Sequence, residues 1–186
     1  MPWLALPFAD RAAKNAMSKM FEVEGIPSLV VLGPKKDGKR EVINGSARGE
    51  ASIANLASFP WHPKPYADLS KGAECNGSDI NESPAVVVLC EGGDDDEQKE
   101  VIEAVKAVAE KQGKGGEMLF FYGCVGGGIV DRIRELTKQQ NKQGEVVMML
   151  LDIPDNGGYY VSKEQDITVA NIEKFMNERG ERQQLG

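Results

Sequence analysis

Ala85-Val-Val-Val-Leu-Cys90, then Glu91-Gly92-Gly93, then Asp94-Asp95-Asp96-Glu97 and a stripe of Val101, Val105 and Val108: on residues 85–108 the fold turns. The apolar block is bounded by polar residues and glycines and is too short for a helix, so it predicts a strand buried on both faces. The valine spacing that follows an acid-rich start predicts a helix over Asp94 to Lys111. Downstream the alternation continues. Met118 to Val125 reads as a strand; Ile129, Ile133 and Leu136 as one face of a helix; Val146 to Leu151 and Tyr159 to Ser162 as strands; and Val169 to Arg179 as a closing helix with Ile172, Phe175 and Met176 inward. The order βαβαββα, with its last strands joined through Asp155-Asn156-Gly157-Gly158, predicts an α/β domain with a mixed sheet and helices on both faces.

Upstream, the pattern is shorter. Trp3 to Phe8 reads as a buried strand, and Asp10 as the cap of a helix bearing Ala13, Met17, Met20 and Phe21, stopped by Gly25. Ile26 to Leu32 is a β-branched run entered through Pro27. Asp37-Gly38 signals a hairpin turn to Glu41-Val42-Ile43, and Ala51 to Ser58 a short helix. Phe59 to Pro65 holds three prolines in seven residues, and residues 66–83 are rich in Ser, Gly, Asn and Asp. This divides the chain into a half domain over 1–60, a linker over 61–83 and a full domain over 84–186.

Composition narrows the function. Of 186 residues, 41% are hydrophobic and 27% charged, as in a globular protein with a real core. A net charge of −7 repels phosphate backbones and anionic surfaces, which argues against nucleic-acid and membrane partners. The apolar runs fall far short of the ~20 residues a spanning helix needs. Residues 1–8 lack the basic start of a signal peptide, and three widely spaced cysteines suit reduced thiols, so a cytoplasmic or nuclear setting is expected.

Candidate motifs each meet a structural alternative. Gly33 to Arg40 matches a phosphate loop up to Lys39, but ends in Arg and leads toward a strand, where phosphate binding needs a helix start. Gly123, Gly126 and Gly128 reverse the dinucleotide spacing and read as a flexible turn. Asp94 to Glu97 lack the alternating ligands of a calcium loop and suit a helix start. His62 is the only histidine and lies in the proline-rich stretch, and no paired His or Cys spacing marks a metal site, so neither metal nor cofactor is expected. Cys90 and Cys124 end neighbouring strands as small buried hydrophobes that could come close enough to bridge on oxidation, whereas Cys75, in the polar connector, is expected to be the most reactive thiol.

Gly25-Ile-Pro-Ser-Leu-Val-Val-Leu32 resembles the thioredoxin-fold segment that carries a cis-proline before a strand. Met1-Pro-Trp-Leu-Ala5 and Phe59-Pro-Trp-His-Pro-Lys-Pro65 extend the likeness to the nucleoredoxin family, weaker similarity continuing through Leu119-Phe-Phe121 and Leu151-Asp152. The resemblance implies a thioredoxin-like mixed sheet preceded by an incomplete thioredoxin-fold half domain. It also implies that Ile26 and Pro27 shape a substrate groove and that the partners are Dishevelled-type Wnt signalling proteins. That family's first-domain dithiol would lie upstream of Met1; in the second domain Glu91-Gly-Gly-Asp94 falls where a redox turn would stand, and Tyr159 is entered through Asn156-Gly157-Gly158 without proline. The chain has no C-x-x-C, and thiol–disulfide exchange needs an attacking and a resolving thiol. No catalytic residue is therefore expected, and Cys75, Cys90 and Cys124 remain as possible reactive thiols. The resulting expectation is a non-catalytic interaction or regulatory module, comparable to the inactive domains of protein disulfide isomerases. The alternative is an oxidoreductase, acting in a longer parent or through these cysteines. Residues 1–60, with apolar surface around Ile26 to Leu32, are expected to pack on the second domain, to dimerise, or to be partly disordered.

Overall fold

A computed structural model of the chain describes residues 4–23, 25–52, 56–113, 117–142 and 144–186. Two compact units follow one another, Met1–Pro63 and Lys64–Gly186.

In the first unit, helix α1 (Arg11–Met20) begins where Asp10 accepts a hydrogen bond from the Ala13 N–H at 3.0 Å. It ends at Met20, earlier than expected, Glu22 taking a left-handed φ of 51° before Gly25 is reached. None of its residues is buried. No strand forms over residues 4–8, where Leu4 and Phe8 are exposed; Trp3 lies outside the described residues. The reason is a lack of partners, because among the described residues the unit's sheet is a single antiparallel pair, β1 (Val31–Leu32) with β2 (Val42–Asn44). Between them Lys36 and Lys39 exchange backbone hydrogen bonds of 2.8 and 3.0 Å around Asp37 (φ 49°) and Gly38 (φ 83°), the geometry of a tight hairpin turn. A strand, not a helix, follows this loop, so it presents no helix start to a phosphate.

Helix α2 (Arg48–Ser52) and a 3-10 turn at Leu56–Ser58 stand where one helix from Ala51 to Ser58 was expected, residues 53–55 lying outside the described set. Val31, Ala47 and Trp61 form the small core. Trp61 is fixed there by its carbonyl, which accepts from Asn44 Nδ2 at 2.6 Å, and by Phe59, which meets its ring edge-on at 5.1 Å. The proline-rich stretch thus closes the first unit instead of opening a connector.

The second unit starts inside the expected linker. Strand β3 (Ala67–Asp68) joins the main sheet, and β4 (Glu74–Cys75) pairs with β5 (Ser78–Asp79) in a separate hairpin. Leu69, Cys75 and Ile80 are buried, so the polar composition of 66–83 hides a widely spaced apolar set that packs on the sheet. There follow β6 (Ala85–Leu89), α3 (Asp95–Gln112), β7 (Leu119–Gly123), α4 (Gly128–Leu136), β8 (Val147–Asp152), β9 (Gly158–Val161), α5 (Val169–Asn177) and β10 (Gln183–Gln184). The sheet order is β10-β9-β8-β6-β7-β3, with β3, β7 and β6 parallel and the rest antiparallel.

Strand pleating assigns the faces. Ala85, Val87 and Leu89 point with Phe121, Met149 and Leu151 into a core shared with Val130 and Ile133 of α4. Val86, Val88 and Cys90 point with Phe120, Met148 and Leu150 into the opposite core, under Val101, Val105 and Val108 of α3 and Ile172 and Phe175 of α5. Every residue of β6 is buried, which explains its unbroken apolar run. The unit is a mixed sheet flanked by helices on both faces. Among the described residues no helix is long and apolar enough to cross a membrane.

Candidate functional site

The ends of the neighbouring parallel strands β6 and β7 bring two cysteines together. Val88 lies opposite Tyr122 and Leu89 opposite Gly123, and the Cys90 N–H donates to the Gly123 carbonyl at 2.8 Å. One further step of the pleat sets Cys90 and Cys124 side by side on the α3 face, with their Sγ atoms 3.2 Å apart. Cys90 is fully buried and Cys124 partly exposed. Gln98, in the second turn of α3, holds the pair from above: its Nε2 lies 3.1 Å from the Cys90 carbonyl, 3.1 Å from that of Cys124 and 3.2 Å from that of Gly93.

Burial drives the chemistry of both sulfurs. Desolvation, and then the neighbouring Cys124 and the field of Glu91, push the Cys90 thiol far above its ordinary value. Desolvation raises Cys124 as well. The neutral thiols are therefore favoured and are weak nucleophiles at neutral pH.

The turn from β6 into α3, residues 91–94, is committed to structure. The Glu91 carboxylate pairs with Arg134, whose side chain has no exposure: Nη2 meets Oε2 at 2.9 Å, and Nε meets Oε1. Arg134 Nη2 also donates to the Glu145 carbonyl at 3.0 Å. Gly92 lies against the backbone of Gly144 so closely that a Cβ would collide with it. Asp94 caps α3 by accepting from the Asp96 and Glu97 N–H groups at 3.0 and 2.9 Å. Among the described residues no group of three or more His, Cys, Asp or Glu side chains could hold a metal ion.

Other expected positions lie elsewhere. Cys75, read as the reactive thiol, is buried in the α4-side core, across the sheet from Cys90 and Cys124, and desolvation raises its pKa. The polar residues around it form the β4–β5 hairpin that covers it. In the first unit the Ile26–Pro27 peptide is cis and both residues are exposed, with Ser28 Oγ donating to the Gly25 carbonyl at 2.6 Å. His62 is exposed. Gly126 to Gly128 form the turn into α4, where the Gly127 N–H donates to Asp131 Oδ1 at 2.9 Å. Sequence reading missed Gln98 and Arg134. A polar side chain four residues after the Asp94 cap was the available signal for Gln98, and no local pattern marked Arg134.

No protein-family model matches the chain. It is 30% identical to the nucleoredoxin of Bos taurus over 189 residues, which cover 96% of this chain and 40% of that protein. The nucleoredoxin of Xenopus laevis is 29% identical over 96% of this chain and 42% of its own length. A probable nucleoredoxin 2 of Oryza sativa subsp. japonica is 56% identical over 61 residues, 33% of this chain and 14% of that protein. Among solved structures, the bb fragment of ERp72 aligns with a TM-score of 0.46 and 15% identity, over 88% of this chain and 71% of that one. The chain spans about two fifths of the length of the animal relatives it matches, and along that span it is a nucleoredoxin homologue.

Proposed function

We propose that this chain is a non-catalytic protein-interaction or regulatory module of redox-linked signalling, working in the cytoplasm or nucleus. One observation carries the reading: the strand-to-helix turn of the second unit holds Glu91, Gly92, Gly93 and Asp94, each engaged in packing, pairing or capping, and no thiol. Exchange with a protein disulfide needs a low-pKa attacking thiol at an accessible helix start, and burial works against that at both nearby sulfurs. Support for a protein partner comes from the first unit, where Leu4, Phe8, Met20, Ile26, Leu56 and Phe59 are all exposed. Dishevelled-type signalling proteins, or a second copy of the chain, are the partners we propose, with Ile26 and Pro27 in the contact. On this reading residues 1–60 are the later half of a thioredoxin-type unit.

Dithiothreitol-driven insulin reduction tests the absence of catalysis. The full chain should leave the rate at the level of the uncatalysed reaction, and turnover comparable to thioredoxin would overturn the proposal. A second reading, an oxidoreductase that uses non-standard cysteines, is favoured by the 3.2 Å approach of Cys90 and Cys124. The same assay with Cys124→Ser separates the two, because that reading requires turnover in the parent chain and its loss in the variant.

A further inference from the structure

We propose that Cys90 and Cys124 are a reversible disulfide site, closed by a hydroperoxide and reopened by a small dithiol, which locks the ends of β6 and β7 together. The inference goes beyond the non-catalytic reading, since the bond forms inside the chain and transfers nothing to a protein substrate. Its basis is geometric. The two residues follow paired positions on parallel strands, and their sulfurs already touch at 3.2 Å. A disulfide needs about 2.05 Å, so closure asks for a shift of roughly 1 Å between two side chains. Gln98 holds the Cys90 and Cys124 carbonyls from one amide, which fixes both backbones while the side chains rotate. Cys75 does not compete, because the sheet lies between it and the pair.

The order of events follows from exposure. Cys124, the partly exposed member, meets the oxidant first. Its thiolate attacks one peroxide oxygen, the O–O bond breaks, and a sulfenic acid forms as the other oxygen leaves as alkoxide or hydroxide. The Cys90 sulfur then attacks the sulfenic sulfur, the S–O bond breaks, and water leaves with the Cys90 proton. Two thiols and one hydrogen peroxide thus give one disulfide and two waters. Burial keeps the thiolate population small, so the reaction is slow at neutral pH and accelerates in mild alkali. The disulfide would tether the two loops that lead into α3 and α4, the edge of the sheet at which open α/β folds present their binding surfaces.

The test treats the full chain with hydrogen peroxide, denatures it, and counts free thiols before and after dithiothreitol. Mapping then uses cleavage at Lys and Arg together with cleavage at Glu, which separates Cys75 from Cys90. The three thiols of the chain should fall to one, with a Cys90–Cys124 cross-link in the monomer that dithiothreitol reverses. Cys75→Ser should keep the cross-link, and Cys124→Ser should abolish it. Three surviving thiols, a bridge to Cys75, intermolecular dimers alone, or Cys124 over-oxidised beside a free Cys90 would each overturn the proposal. Insulin turnover is scored separately, so failure of the disulfide and failure of the non-catalytic reading give different results.

Discussion

Arg134 sits with no exposed side-chain surface at the base of α4 and reaches back to Glu91, a carboxylate only 9% exposed and 43 residues earlier in the chain. A guanidinium can meet both carboxylate oxygens at once while a third donor direction reaches a backbone carbonyl, here that of Glu145. Removing one partner from such a buried pair leaves an unpaired charge, which costs more than the pair itself is worth. Arg134→Met should therefore destabilise the second unit by about 3–5 kcal/mol. The double variant Arg134→Met with Glu91→Leu should recover much of the loss, as read from urea denaturation midpoints. Equal loss in the single and double variants would show that packing, not the orphaned charge, sets the cost. Nothing in the sequence near Arg134 announced this role. Its position on the stripe next to Ile133 reads as helix surface, and only the approach of two loops far apart in sequence brings the carboxylate within reach.

At the scale of elements, legibility followed the length of the apolar signal. β6, β7 and β8 were readable as near-continuous apolar runs buried on both faces, and α3 and α5 by inward residues at helical spacing. β3 and β10 were not, since Ala67-Asp68 and Gln183-Gln184 are two-residue strands held by ladder hydrogen bonds, with no side-chain pattern to show it. The false linker over 61–83 arose the same way. Leu69, Cys75 and Ile80 are too far apart to make a period, yet each fills the core under β7 and α4. The Cys90–Cys124 proximity was half legible: both residues end strands, but contact required knowing that β6 and β7 are parallel neighbours in that register. The turn between β6 and α3 yields a sharper case. Gly92 is there because a Cβ would enter the backbone of Gly144, an obstacle that side-chain rotation cannot relieve. Gly92→Ala should cost about 1–3 kcal/mol of stability in thermal melts, with Gly93→Ala milder because there the obstacle is the movable end of Glu97. A neutral Gly92→Ala would mean the two loops separate freely, and the account of the turn would be wrong.

For the whole molecule, the buried thiols make stability a function of pH even though no histidine or carboxylate is invoked. Cys90 and Cys75 have raised pKa values in the folded state because burial penalises the thiolate. The unfolded chain releases the same protons near the ordinary thiol value of about 8.5. A group held protonated in the folded state stabilises it fully below that value. Its contribution then declines as pH rises toward the folded pKa, at up to about 1.4 kcal/mol per pH unit for each group. Tyr122, pushed up to about 12 chiefly by burial and then by the Asp68 charge, adds its own decline once pH exceeds the ordinary tyrosine value of about 10. The net charge of −7 grows more negative over the same range, but that repulsion is screened by salt, whereas proton release from buried thiols is not. Under reducing conditions and at high salt, the melting temperature followed by amide circular dichroism should be level from pH 6.5 to about 8 and fall steadily above it. Cys90→Ala removes one titrating group and should make the fall shallower while leaving the plateau pH unchanged. A curve that stays flat to pH 10, or one flattened only by salt and not by Cys90→Ala, would show that these thiols are solvated in the native state, and the burial on which both the low nucleophilicity and the slow disulfide depend would fall with it.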